Sequence, residues 1–220
     1  MLNETQIAHF DDACLVAVKP AGLLAVPGRG AHLQDCLSVR VQALHLDALV
    51  VHRLDMATSG LMLFARGADA QRRLSRAFAQ REVHKRYVAI VQGHIDLANV
   101  KIGAEGEVGE IDLPLLADWP NRPLQKVDRV LGKPSLTRYR VLAFDAANNT
   151  TRVELEPVSG RAHQLRVHLL AIGHPILGDR LYAPPEVQTA SERLLLHATR
   201  LAFAHPVSGA PVEVASVVPF

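Results

Sequence analysis

Residues 51–64 read Val51-His52-Arg53-Leu54-Asp55-Met56-Ala57-Thr58-Ser59-Gly60-Leu61-Met62-Leu63-Phe64. An imidazole, a guanidinium and a carboxylate fall within four positions. A small polar turn, Ala57 to Gly60, follows, and then an apolar run from Leu61 to Ala65 that predicts a buried strand. A carboxylate beside an arginine, on a tight turn feeding a buried strand, is a rigid platform for chemistry, because regular elements fix a side chain better than free loops. The plainer alternative is that Arg53 and Asp55 form a solvated or structural ion pair.

Upstream, Cys14-Leu15-Val16-Ala17-Val18 reads as a short buried strand, Lys19 to Gly22 as a turn, and Leu23 to Val26 as a second short strand. Leu33, Leu37, Val41 and Leu44 fall at helical spacing, which predicts an amphipathic helix over 33–46. Downstream, Ala70, Leu74, Ala77 and Phe78 form one stripe of a helix over 69–80 and leave Arg72 and Arg76 together on another face. A strand follows at 87–91, then a Gly-rich, acidic stretch over 93–114 that reads as a loop or loose hairpin. Residues 118–123 are irregular and contain two prolines. Strands are expected at 135–144, 150–157, 194–203 and 212–218. A helix is expected over 162–172, its stripe being Leu165, Leu169 and Ile172, with Gly173 as its stop. Hairpins and helices alternate without a βαβ rhythm. The expected class is therefore α+β, a mostly antiparallel mixed sheet with flanking helices and loops, built as a single domain over 1–220.

Apolar residues make up 49% of the 220, and charged residues 21%. That is ordinary for a globular chain with a sizeable core. Two cysteines are too few for a disulfide framework, and Met1–Asp12 lacks the apolar run of a signal peptide, so a cytoplasmic setting is expected. No stretch approaches the roughly 20 apolar residues of a membrane span. The net charge of +2 does not by itself announce a nucleic-acid binder. Local charge says more: seven Lys/Arg lie between Arg66 and Arg86 against two acids, Asp69 and Glu82. Acids gather instead at Glu105, Glu107, Glu110 and Asp112. Such asymmetry suits a phosphate-facing surface, although a charge run alone is more often a solvated face.

Three blocks, in order, resemble the RluA-type pseudouridine synthases. The first is His52 to Gly60. The second is Lys85-Arg86-Tyr87-Val88-Ala89. The third is Leu155-Glu156-Pro157-Val158-Ser159-Gly160-Arg161-Ala162-His163-Gln164-Leu165-Arg166-Val167-His168. Two positions depart from the family's usual residues: Ser159 stands where threonine is common, and Val18 where asparagine precedes Lys19-Pro20. The resemblance implies the pseudouridine synthase fold, here without an S4-type domain. It implies Asp55, Tyr87 and Arg161 as catalytic residues, Arg161 pairing with Asp55. Leu165 would line the uracil pocket, and Arg53 would fill the space left by a flipped base. His52 and Thr58 are further substrate-site candidates. Asp118 to Val127, with Arg122 and Lys126, resembles the branch of the family that modifies both 23S ribosomal RNA and the anticodon stem-loop of transfer RNA. The implied partner is thus RNA, with no membrane, and the chain is expected to be a monomer.

The implied reaction breaks the N1–C1′ bond of uridine, turns the uracil over and joins C5 to C1′. Glycosidases ordinarily need two carboxyl groups. Here the uracil is never released and its carbonyls can spread negative charge, so Asp55 alone could attack C1′ or C6, or first remove the C2′ proton. The ring of Tyr87 offers a stacking face and an exchangeable proton. No cofactor and no metal are implied. Gly132-Lys133 lacks the upstream glycine of a phosphate loop because Val127 stands there, and no His-Glu-x-x-His occurs. His163 and His168 lie five apart, on different helix faces. Two other classes compete: a non-catalytic RNA-binding module of the same fold, and a nucleoside or sugar hydrolase with Asp55 as nucleophile and Glu156 as a poorly placed acid.

Overall fold

The computed structural model describes residues 6–96, 101–103 and 106–220. In chain order the elements are β1 (Ile7–Phe10), β2 (Cys14–Lys19), α1 (Leu37–Leu44), β3 (Ala48–Val50), β4 (Ser59–Arg66), α2 (Ala68–Gln80) and β5 (His84–Gln92). There follow β6 (Lys101–Gly103), β7 (Gly106–Asp112), β8 (Leu115–Ala117), β9 (Gln125–Val127), β10 (Leu136–Asp145) and β11 (Thr150–Pro157). The chain ends with α3 (Gln164–Ala171), α4 (Pro185–Thr189), β12 (Leu196–Ala204) and β13 (Pro211–Ala215). Two compact units result, Met1–Lys85 with His197–Phe220, and Arg86–Leu196. The α+β class and the predominance of antiparallel pairing agree with the sequence.

In the first unit the strand order is β1-β2-β4-β12, with β3 added to β4 and β13 to β12. All its pairings are antiparallel except β4 with β12. The apolar run of β4 is continuous because both of its faces are covered. Leu61, Leu63 and Ala65 pack with Cys14, Val16 and the Ala70 and Leu74 stripe of α2. Met62 and Phe64 pack with Leu15, Ala17 and the Leu37 and Val41 side of α1. Each leucine, methionine or phenylalanine of this set taken fully out of water contributes about 1.5–3 kcal/mol, so β4 anchors the unit and fixes the turn that precedes it. Cys14 and Cys36 are buried free thiols.

Two expectations for this unit need correction. Residues 23–26 are not a strand; only an isolated bridge joins Leu24 to Cys36. Their carbonyls serve α1 instead, since Leu24 O and Ala25 O accept from the amides of Leu37 and Ser38. The first amides of a helix have no partner within it, and this segment supplies one. For the same reason α1 begins at Leu37 rather than residue 33, with Ala31–Leu33 forming a separate 3-10 turn.

In the second unit the order is β5-β11-β10-β7-β6, antiparallel in every pair. Strand β11 alternates, burying Thr151, Val153, Leu155 and Pro157, and α3 packs against β9, β10 and β11. The expected loop or hairpin over 93–114 contains the β6–β7 hairpin, while Glu105 lies outside the described residues. Helix α3 starts at Gln164, two residues later than expected, and ends before Gly173, whose φ of 87° gives the left-handed turn that stops it. It is more deeply buried than a one-stripe helix, for Gln164, Arg166 and His168 are buried along with Leu165 and Leu169. β8 and β9 form a separate two-stranded ribbon, and α4 covers a small cluster of Leu177, Ala183 and Val187 with Ile90 and Leu195. Sequence periodicity did not predict β1, β3, β8, β9 or α4; each is three to five residues long. Among the described residues no helix is long and apolar enough to cross a membrane.

Candidate active site

Asp55 stands half-buried in the turn between β3 and β4, with Arg53 exposed to water and Leu54 buried between them. Three devices hold this turn. Lys19, the last residue of β2, is fully buried, and its ammonium donates to the carbonyls of Pro20 (2.8 Å), Leu23 (2.7 Å) and Met56 (2.9 Å). Three N–H protons thus meet three carbonyls, and Met56 O accepts a further bond from Gly22 N at 2.9 Å. Within the turn, Thr58 N donates to Asp55 O at 3.1 Å.

The third device is His52. Its Nε2 accepts from the amide of Leu63 at 2.8 Å, and its ring stacks on Phe78 with centroids 4.4 Å apart. Accepting at Nε2 requires the neutral ring. Loss of hydration by burial, aided by the charge of Lys85, depresses its pKa to about 3. His52 therefore faces inward as a strut between the turn, β4 and α2. Thr58 and Ser59 are buried as well, and Ser59 Oγ lies 2.7 Å from His197 Nδ1, whose Nε2 lies 3.0 Å from Ser216 Oγ. Gly60 is required where β4 meets β12: its φ is 114°, and a Cβ there would sit 2.3 Å from Ala198 O.

The second unit carries the other candidates. Tyr87 lies half-buried on β5, opposite Leu155 of β11 in register. Strand β11 ends at Pro157, and the loop of Ser159, Gly160 and Arg161 continues from that same end. Gln164 holds this loop. Its Oε1 accepts from Ser159 Oγ (2.8 Å) and Arg161 N (3.1 Å), while its Nε2 donates to Leu136 O (2.9 Å) and Thr137 Oγ1 (3.0 Å). Ser159 Oγ also accepts from Leu136 N at 3.0 Å, so the hydroxyl that serine keeps in place of threonine both donates and accepts. Arg161 itself is exposed, and Leu165, the second residue of α3, is buried.

A profile of RNA pseudouridylate synthases matches residues 13–171, most of the chain. The chain belongs to this family. It is accordingly an RNA-modifying isomerase. Two similar relatives carry the name dual-specificity RNA pseudouridine synthase RluA. That of Pasteurella multocida is 50% identical over 202 residues, which is 92% of this chain and 88% of the relative. That of Escherichia coli K12 is 51% identical over 203 residues, with the same shares. Among solved structures, human RNA pseudouridylate synthase domain containing 1 superposes with a TM-score of 0.79 at 28% identity, over all of this chain and 86% of that one.

Several residues that hold the synthase's candidate site escaped the sequence. The strongest overlooked signal was Lys19 itself, since a lysine closing a buried apolar strand needs specific partners. Buried Arg166 pairs with Asp179 through two bonds of 2.8 and 2.6 Å. His163, with a left-handed φ of 54°, places Nδ1 2.5 Å from Tyr182 Oη, and that oxygen accepts from Gln125 N at 2.9 Å. His168 is separately engaged by Thr137 Oγ1 and Leu113 O, both at 2.9 Å. Desolvation lowers its pKa.

The basic run does not act as one open face. Arg73 donates to Pro206 O at 2.8 Å, Arg72 pairs with Asp69 one helical turn away, and Arg86 shares Glu154 with Arg140 at 2.8 Å each. Arg76 and Arg81 are exposed. Arg122 and Lys126 are exposed on the β8–β9 ribbon, Lys126 lying 3.9 Å from Asp118.

Proposed function

We propose that this synthase isomerises specific uridines in 23S ribosomal RNA and in the anticodon stem-loop of transfer RNA, with Asp55 as the catalytic nucleophile. The observation that carries the assignment is the anchoring of Asp55. A half-buried carboxylate sits between a peptide held by Lys19 and Gly22 and a strand buried on both faces. That fixity is what positioning a single reactive group demands. The carboxylate attacks C1′ or C6, or removes the C2′ proton. The N1–C1′ bond breaks, C5–C1′ forms, and the proton lost from C5 is matched by one gained at N1. Nothing is added or removed overall, and no cofactor is needed.

Tyr87 stacks on the uracil and exchanges the proton, Arg161 pairs with Asp55, and Leu165 lines the base pocket. Exposed Arg53 occupies the space left by the flipped nucleotide, a role suited to a planar guanidinium. His52 and Thr58 act on substrate indirectly, by holding the turn. Arg122 and Lys126 bind the RNA backbone. The name shared by the relatives supports two substrates, as does the similarity over Asp118 to Val127. The chain works as one catalytic domain over 1–220, a cytoplasmic monomer with no membrane partner.

The test is product identity. The protein is incubated, without added metal, with unmodified stem-loops from each RNA, and the nucleosides are separated. Pseudouridine in both stem-loops is expected. Free uracil would indicate a hydrolase, and unchanged but tightly bound RNA a non-catalytic module.

A further inference from the structure

Trp119 is the chain's sole tryptophan, and it is 65% exposed. Burying so large an apolar ring is strongly favourable, so a fixed, exposed indole signals a ligand more often than an exposed aliphatic residue does. Trp119 is fixed. It opens the 3-10 turn Trp119–Asn121 at the tip of the β8–β9 ribbon, and the Arg122 guanidinium lies 4.3 Å from its ring centroid. Asp118 N donates to Leu124 O (2.9 Å), Asn121 N to Asp118 O (2.9 Å), Leu124 N to Asn121 O (3.0 Å) and Asn121 Nδ2 to Asp118 Oδ2 (2.8 Å). The loop-side end of the ribbon is tied to the start of α3, because Gln125 N, opposite Ala117, donates to Tyr182 Oη, which in turn reaches His163.

Charge selects the class of ligand. Arg122, Lys126, Arg129 and Lys133 outnumber Asp118 and Asp128 between residues 117 and 133. Both carboxylates are already engaged, Asp118 by Asn121 and Lys126, Asp128 by the amides of Val130 and Leu131. An aromatic face backed by a guanidinium, in a segment of net positive charge, matches an unpaired base and its flanking phosphates.

We propose that Trp119, backed by Arg122, is a stacking platform for one unpaired nucleobase of the RNA other than the reacting uridine. The inference rests on the function proposed above and adds a contact remote in sequence from Asp55. Stacking of this kind is tolerant of base identity, which suits one protein that accepts two RNAs.

A sole tryptophan makes the test direct. Stem-loop RNA should quench the intrinsic fluorescence of the wild type. Trp119→Leu should weaken RNA binding by about 5- to 150-fold, the loss for one stacked base, without altering the slope of log affinity against log salt. Trp119→Phe, which keeps a smaller ring, should recover much of that loss, and the unfolding midpoints of all three proteins should agree. Replacing unpaired loop nucleotides one by one with abasic sites should identify one position that costs the wild type the same factor and costs Trp119→Leu nothing. Unquenched fluorescence, or affinity within twofold of wild type in Trp119→Leu, would overturn the platform while pseudouridine formation stayed normal. Quenching with no pseudouridine formed would instead overturn the catalytic assignment and leave the platform standing.

Discussion

Lowering the pH from 8 to 5 should unmask His52 as a strut. Its pKa in the fold is about 3, against an ordinary 6.5 that applies to the unfolded chain. The folded protein therefore binds no proton at this site above pH 5, whereas the unfolded chain takes one up below 6.5. A depressed histidine pKa contributes stability that is intact above 6.5 and lost as the pH falls. From 6.5 to 5 the loss runs at about 1.4 kcal/mol per pH unit, or about 2 kcal/mol in all. The figure is set by the unfolded pKa alone, provided the folded value stays below about 4. His168 is shifted in the same direction, so the comparison must be made against a variant. His52→Gln keeps an acceptor for Leu63 N but cannot titrate. Urea unfolding of both proteins at several pH values should show wild type losing about 2 kcal/mol more than His52→Gln between pH 8 and 5. Equal losses would mean that His52 is hydrated and protonated in the fold, and the account of its inward role would be wrong.

Arg53→Ala should slow single-turnover pseudouridine formation strongly, since flipping a base costs a few kcal/mol that the side chain helps to offset. It should leave the salt slope of RNA affinity nearly unchanged, whereas Lys126→Ala should flatten it by about 0.7–0.9; the reverse pattern would exchange their roles. Gln164→Leu leaves buried polar partners of Ser159, Arg161, Leu136 and Thr137 unmatched, and should lower stability by about 2–3 kcal/mol in denaturant unfolding. A loss under about 0.5 kcal/mol would show that water replaces the side chain without penalty.

Long, strongly patterned segments were legible in the sequence for physical reasons. The runs at β2 and β4 are apolar at every position because the sheet of the first unit is covered on both faces. β11 and α2 each bury one face, and their periods of two and of three to four betray it. Short elements were not legible, because three residues such as Ala48–Val50 or Gln125–Val127 carry no period. Residues 23–26 misled because apolar content resembles a strand even where the carbonyls serve a helix terminus. In the candidate site the family blocks marked Asp55, Tyr87 and Arg161. They did not reveal what holds these residues, since Lys19, His52 and Gln164 act through bonds to backbone groups that no spacing rule encodes. Charge counting failed for Arg73 and Arg86 because it cannot see a carbonyl or a half-buried glutamate waiting nearby.

The most direct test of the central claim is single-turnover pseudouridine formation by Asp55→Asn on a stem-loop that the wild type modifies. The substitution keeps the size of the side chain and removes its charge, and a neutral amide neither attacks carbon nor takes up a proton as a carboxylate does. The variant should bind the stem-loop within a few-fold of wild type, unfold at a similar midpoint and form no detectable pseudouridine. Substantial product from a correctly folded Asp55→Asn protein would contradict the assignment of Asp55 and require another group to open the N1–C1′ bond.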